Sequence, residues 1–365
     1  MNFYVPGVGY YVTTSEGWRL AALPAMKVLA IGGGTGLSTL LRGLKAHVRQ
    51  PGHDAPRPPA ISRLTAVVTV TDEGGSSGRL RREFRILPPG DIRNCMVALA
   101  EDETLFTRLF NYRFSSGRGL RGHSFGNLFL TALTHLTHDF TQAVKVSSEV
   151  LAICGEIFPA TLADVRLRAK LRDGRTVDGE GSITRTRVPI DRLEIVPSGC
   201  RPLAETLAAI QEADLITLGP GSLYTSLIPN LLVRGIPEAI ARSQALKVYV
   251  CNLMTQPGET RRCTASDHVR AIQEHSGRRV FDYVVLNTRS FSPALRRRYA
   301  AQRAEPVVND LDAIRALGVE PVSANLLGED RVARHDPRRL AQFLLDLATK
   351  GHSPRRREAG KKERL

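Results

Sequence analysis

Short apolar runs alternate with amphipathic stretches along most of this chain. MKVLAIGGGTGLSTLLRGLK, beginning at Met26, reads as a buried strand over 27–31, a glycine turn and a helix carrying Leu37, Leu40, Leu41 and Leu44 on one face. A second strand is predicted over 64–70, followed by helices over 91–100, 103–110 and 125–137. The texture changes between 156 and 196, where RLRAKLRDGRTVDGEGSITR breaks into short alternating segments at Asp-Gly and Gly-Glu-Gly. Those dipeptides are hairpin signals, so a small antiparallel subdomain is expected there. Helices over 201–212 and 237–243 then alternate with strands over 215–218, 247–251 and 283–286. Alternation of this kind predicts a three-layer α/β architecture with a mostly parallel sheet and a small antiparallel insertion.

The pattern places one α/β domain at 26–345. Residues 1–25 show no clear periodicity and are read as a frayed extension or a consequence of start-codon choice, Met26 being a natural start. HVRQPGHDAPRPPAIS, residues 47–62, is Pro-rich and reads as an insertion after the first helix. Residues 346–365 are assigned to a basic, disordered tail.

Composition changes this picture little. The 365 residues are 42% hydrophobic, enough for a substantial core. The net charge of +15 looks like a nucleic-acid footprint, but part of the excess is local to the tail, where six Lys and Arg face two Glu after Pro354. The basic clusters carry little aromatic interleaving, so nucleic acid is not an expected partner. Five widely spaced cysteines form no C-x-x-C pair, which argues against a zinc site or a disulfide framework. Neither a secretory signal nor a membrane span is evident, and a cytoplasmic location is expected.

Chemistry concentrates where strands end. The first strand runs into Gly32-Gly33-Gly34-Thr35-Gly36 and the second into DEGGSSGRLRREFRILPPGDIRN. The strands at 215–218 and 247–251 run into GPGS and NLMTQ. In a parallel sheet all four would crowd one edge, where ligands bind near a topological switch point. Gly33, Gly34, Thr35 and Gly36 offer backbone N–H groups at a helix N-terminus, a natural anion cradle. The loop is neither G-x-G-x-x-G nor Walker A. With the insertion removed, Asp72 lies about 20 residues beyond it, the spacing at which an acid meets a ribose hydroxyl. Asp72 and Glu73 would alternatively hold Mg²⁺ against a diphosphate. Ser76, Ser77 and Gly78 supply hydroxyls and flexible backbone, and Arg79 a bidentate phosphate grip. Arg81, Arg82 and Arg85 are placed on a solvated face. PPGDIRN reads as a helix start with Asp91 capping and Asn94 one turn inside, the cap explaining Asp91 at least as well as ligand contact. In GRGLRGHSFGN, Ser124 is read as a helix cap and Asn127 as reaching ligand. His123 and Ser124 lack a carboxylate at triad spacing, which argues against a catalytic serine. In GPGSLYTSLIPN, Gly219, Gly221, Ser222 and Thr225 would bind phosphate, and Tyr224 would pack. Asn252, Met254 and Gln256 complete the ligand-binding set.

AIGGGTGLSTLLRGLK, TDEGGSSGRLR, PPGDIRN, GHSFGNL, GPGSLYTSLIPNLLV, CNLMTQPGET and TASDH together resemble the motif set of the gluconeogenesis-factor (YvcK-like) family, within the superfamily of the 2-phospho-L-lactate transferases (CofD-like). The similarity runs in order from about Met26 to about Leu340. The resemblance implies a Rossmann-like three-layer fold and a cytoplasmic protein binding a UDP-sugar, typified by UDP-N-acetylglucosamine. It implies a regulatory role linking carbon metabolism with cell-wall synthesis and cell shape, with no required cofactor and no firmly attached turnover. It also adds Tyr299, which would stack on uracil, and Arg334, which would hold diphosphate. A homodimer is expected by the same analogy. Glu73 stands where the family usually has Asp, and Arg261, Arg262 and Cys263 stand where it more often has small, acidic or aromatic residues. The competing reading is a Mg²⁺-dependent phosphotransferase of the 2-phospho-L-lactate type, with Asp72 on the metal. Against it, Trp18 lies outside the α/β domain and no aromatic platform for a deazaflavin is evident.

Overall fold

The computed structural model describes residues 3–5, 9–14, 17–21, 25–49, 60–100, 105–328 and 332–351. Ahead of Met26, β1 (Phe3–Val5), β2 (Gly9–Thr14) and β3 (Gly17–Ala21) pair as an antiparallel three-stranded sheet. A frayed extension does not describe these residues. The runs GYYVTT and GWRLA are rich in β-formers, and each is too short to show a period.

The main sheet has seven strands: β4 (Met26–Gly32), β5 (Ile61–Val68), β6 (Glu156–Pro159), β10 (Leu215–Leu218), β11 (Leu246–Val250), β12 (Tyr283–Asn287) and β13 (Glu320–Ala324). Their order is β13-β12-β11-β10-β4-β5-β6, and every pairing is parallel. Chain direction across the sheet therefore reverses between β4 and β10. The central strands are almost wholly buried, β10 at all four positions, as expected for a sheet covered on both faces.

The antiparallel insertion is smaller than 156–196. It consists of β7 (Arg166–Leu171), β8 (Thr176–Asp178) and β9 (Ile190–Val196), in the order β8-β7-β9. Glu156–Pro159 instead forms the main sheet's edge by pairing with β5. Alternation in four residues carries no information about which sheet receives them.

Residues 50–59 of the Pro-rich segment lie outside the described residues, while Ile61 already begins β5. The last helix, Pro337–Gly351, runs into the segment assigned to the tail; 352–365 lie outside the described residues. Its Leu340, Ala341, Leu344, Leu345 and Ala348 are buried, facing the helix Gly34–Lys45, whose Leu37, Leu40, Leu41 and Leu44 are fully enclosed. Gly43 permits this approach, since a Cβ there would run into the backbone of Pro337. The helix that begins at the first glycine loop is thus clamped between the sheet and the C-terminal helix.

Candidate functional site

β4 and β10 are neighbours whose following segments depart to opposite sides, so their carboxyl ends form the switch point. After β4 the chain turns through Gly33 and Gly34, the latter at φ 61°, directly into the helix from Gly34 to Lys45. After β10 it turns through Gly219 at φ 75° into Pro220, Gly221 and Ser222. The two loops touch at Gly36, where any Cβ would collide with the backbone of Pro220. A glycine at Gly36 is a packing requirement between loops as much as an anion device.

These loops open onto a cavity of about 380 Å³. Gly33, Gly34, Thr35 and Gly36 form one wall, Gly221, Ser222 and Ser226 a second, and Asn252, Met254 and Gln256 a third. Tyr299, Arg334 and His335 close it. The volume lies within the usual range for small-ligand pockets. Eleven of the residues singled out in the sequence are therefore brought together here: Gly33, Gly34, Thr35, Gly36, Gly221, Ser222, Asn252, Met254, Gln256, Tyr299 and Arg334.

Local bonding fixes these walls. Gln256 Nε2 donates to Ser222 Oγ (2.7 Å), and Gly221 N–H donates to Asn252 Oδ1 (3.4 Å). Tyr299 packs with Leu253, Met254 and Leu327, while its hydroxyl accepts from the N–H of Ala333 (3.1 Å). That bond holds the segment bearing Arg334. Gln256 Oε1 and His335 Nε2 are buried without a partner among the described residues. Burial pushes the His335 imidazole down to about 4, so it is neutral at physiological pH. Two orphaned acceptor-type atoms beside glycine loops rich in donors suit a ligand having both anionic and donor groups.

Several expected ligands lie elsewhere. The Thr225 hydroxyl donates to Glu259 Oε1 (2.9 Å), and the N–H groups of Tyr224 and Thr225 donate to Glu259 Oε2 (3.0 and 3.2 Å). Glu259 is buried, and burial raises its pKa against those bonds. It satisfies the start of the π-helical turn Leu223–Leu227, turning Thr225 inward and leaving the neighbouring Ser226 on the cavity. Gly219 donates its N–H to Ile31 O (2.9 Å) and continues the ladder.

The remainder form a second cluster beyond β5. The Ser76 hydroxyl lies 3.0 Å from His123 Nδ1 and accepts from Asn127 Nδ2 at 3.1 Å. Asn127 Oδ1 accepts from Arg93 Nε (3.3 Å), and Ser124 caps its helix by accepting from Asn127 N–H. Arg79 donates to the carbonyl of Arg121 (2.9 Å), tying the helix Gly75–Phe84 to the loop before His123. Gly78 is a contact glycine, since a Cβ there would strike the backbone of Glu73. Arg81 is not on a solvated face: it is buried and its Nε donates to Asp164 Oδ1 (2.8 Å).

Asp91 joins the two clusters. It lies in the first turn of the helix Gly90–Leu99 rather than at its cap. Its carboxyl accepts from the backbone of Gly34 and from Asn94, so it supports the first glycine loop from behind. Desolvation, then the nearby Asp72 carboxylate, pushes Asp91 up to about 7. Glu180, from the insertion, is likewise pushed up by burial and by Asp72, and accepts from Glu73 N–H (2.9 Å). Nothing local in the sequence marks Glu180, a glutamate that arrives from a separate subdomain. Asp72 Oδ1 itself accepts from Gly74 N–H (2.8 Å). Among the described residues no group of three or more His, Cys, Asp or Glu is arranged to hold a metal ion. Asp72 alone does not make a cation site, and any cation here would depend on oxygens brought by a ligand.

A parallel sheet in the order of a doubly wound fold, with paired glycine loops at the switch point, defines a Rossmann-like α/β class of protein. The 2-phospho-L-lactate transferase CofD family model matches residues 28–327, and the chain belongs to that family. A relative from Nostoc sp. is 53% identical over 322 residues, covering 87% of this chain and 68% of that one. The Gluconeogenesis factor of Bacillus subtilis is 46% identical over 88% of this chain and 98% of its own. The crystal structure of protein BH3568 from Bacillus halodurans superposes with a TM-score of 0.83 at 46% identity, covering 88% of this chain and all of that one. The family and the three-layer fold implied by the motifs are thus those the chain has. No helix among the described residues is long and apolar enough to cross a membrane.

Proposed function

We propose that the chain is a nucleotide-sugar-binding regulatory protein, taking a UDP-N-acetylglucosamine-type ligand in the switch-point cavity. The observation that carries this reading is the joining of two glycine loops, Tyr299 and Arg334 around one cavity of about 380 Å³. The glycine loops and Arg334 would receive the diphosphate and the half-buried Tyr299 ring the base. The names of the relatives, gluconeogenesis factors, support a role in carbon use. The link to cell-wall synthesis and cell shape, the cytoplasmic location and a homodimer are proposed from the motif resemblance alone.

One observation favours a second reading, a Mg²⁺-dependent phosphotransferase of the type in the family's name. Asp72, Asp91 and Glu180 lie close together behind the first glycine loop, and the pKa values of Asp91 and Glu180 are raised first by burial and then by the Asp72 charge. A cation carried in on a ligand's phosphates and met by Asp72 would offset that charge. Calorimetric titration of UDP-N-acetylglucosamine, and of GDP beside it, with and without Mg²⁺, separates the two. Saturable Mg²⁺-independent UDP-sugar binding supports the regulatory reading. Tighter, Mg²⁺-dependent GDP binding would overturn it in favour of the transferase.

A further inference from the structure

A second cavity, larger than the first at about 670 Å³, lies between the antiparallel insertion and the segment 257–274. Arg172 and Arg187 line it from the insertion, Arg261 and Arg262 from the facing segment. These four guanidiniums make no ion pair with a described residue, and all four residues are exposed.

Two of the four acids on the same walls are already engaged. Asp267 pairs with Arg270 (2.7 Å) and accepts from Thr264 N–H (3.0 Å). Glu259 is committed to Tyr224 and Thr225. Asp191 and Glu274 remain against the four arginines.

The two walls are locked together. Leu193 N–H donates to His275 Nε2 (2.8 Å), and Gly258 packs so closely on Thr184 that a Cβ would strike its backbone. A turn closed by Cys263 N–H to Thr260 O (3.0 Å) holds Arg262 at φ 61°, a conformation that side-chain-bearing residues rarely adopt.

We infer that this cavity is a second binding site, for a small polyanion carrying two or more phosphoryl groups, and that its occupancy is coupled to the switch-point cavity. Guanidiniums without acid partners, converging from two fixed walls, are the arrangement that recognises phosphoryl oxygens bidentately. Coupling follows from shared walls. Gln256 faces the first cavity and Arg261 the second, five residues along one turn. That turn is closed by Glu259 N–H and Thr260 N–H to Gln256 O (3.0 and 2.8 Å) and by Gln256 N–H to Thr260 Oγ1 (2.9 Å). Likewise Ser222 and Ser226 face the first cavity while Leu223 and Tyr224 face the second, with Glu259 holding the turn between them. The coupling half rests on the nucleotide-sugar reading of the first cavity; anion binding does not.

The test is calorimetric titration of the full chain at low salt with inorganic tripolyphosphate, and with a nucleoside triphosphate in parallel. Saturable binding is expected, weakened at least tenfold in the Arg261→Ala/Arg262→Ala double variant and unchanged in Arg334→Ala, with circular dichroism confirming that both remain folded. Tighter binding of the nucleotide would identify a nucleotide as the effector; equal binding would identify the phosphate chain alone. The site is overturned if the double variant binds as wild type does, or if Arg334→Ala abolishes binding, because the anion then occupies the first cavity. In a second titration, saturating tripolyphosphate should shift UDP-N-acetylglucosamine affinity in wild type but not in the double variant. Unshifted affinity would overturn the coupling. Absence of any UDP-sugar binding would instead sink the reading of the first cavity and leave the anion site standing on the first titration.

Discussion

Tyr299 and Arg334 share one structural fact: the tyrosine hydroxyl anchors the backbone at Ala333, next to the arginine. Tyr299→Ala removes both a ring wall and that anchor, so it should weaken UDP-N-acetylglucosamine binding more than Tyr299→Phe, which keeps the ring. A loss of at least tenfold is expected for alanine by calorimetry, with phenylalanine in between. Asp91 makes a prediction about stability instead. Its folded-state pKa, about 7, lies above the ordinary 3.8, so its stabilising contribution is full below about pH 4 and is lost as pH rises through 7. Asp91→Asn keeps an acceptor for Gly34 N–H without the charge. Its stability relative to wild type should therefore rise between pH 4 and 7, reaching on the order of 1–2 kcal/mol, since the half-buried carboxyl retains some hydration. Chemical denaturation across that range measures it; a flat difference would refute the assignment. Residue type was legible at these positions, but direction was not. Thr225 and Ser226 are adjacent hydroxyls in the same motif, and only the buried Glu259 decides which one faces the cavity.

At the level of elements, the strand-and-helix alternation was readable wherever a long period or a glycine turn announced it. The helix predicted over 125–137 is Phe125–Thr137, and the strand over 215–218 is Leu215–Leu218. The helix Gly75–Phe84 is not legible in the sequence, because Gly-Ser-Ser-Gly has poor helix propensity. Tertiary contact overrides that: Gly78 sits against Glu73 and Leu80 is buried. β13 is not legible in the sequence, because Glu320–Ala324 is short and carries a proline, tolerable on an edge strand. The two glycine loops yield a prediction at this scale. Gly36→Ala forces a methyl group into Pro220 and should push the loops apart, costing on the order of 1–3 kcal/mol and weakening ligand binding together. Gly75→Ala tests a different constraint: open space surrounds the site, so only the φ of 42° opposes the methyl, and ligand affinity should be little changed.

Over the whole molecule, one sheet and one chain of packed helices carry the site. The C-terminal helix is far from the glycine loops in sequence, yet it covers the helix that starts at the first of them. Leu344 is fully buried there, and Leu344→Ala should destabilise the fold by about 2–5 kcal/mol, read as a lower midpoint in urea. The insertion has a comparable structural reach. Its Glu180 meets Asp72 in the loop after β5, and its Arg172 and Arg187 line the second cavity.

Sequence alone determined the family, the parallel sheet and the crowding of four strand-end motifs on one edge. Each depends on local periodicity or on glycine chemistry, and both are written in consecutive residues. Tertiary structure alone decided that nine strand-end residues share one cavity with Tyr299 and Arg334, that Asp91 supports a loop instead of capping a helix, and that Arg81 is buried. It also brought Glu180 to Asp72, Glu259 to Thr225, and four arginines without an ion pair among the described residues to one cavity. Those outcomes depend on which side chain fills the space beside another, which distant segments settle only when the chain packs.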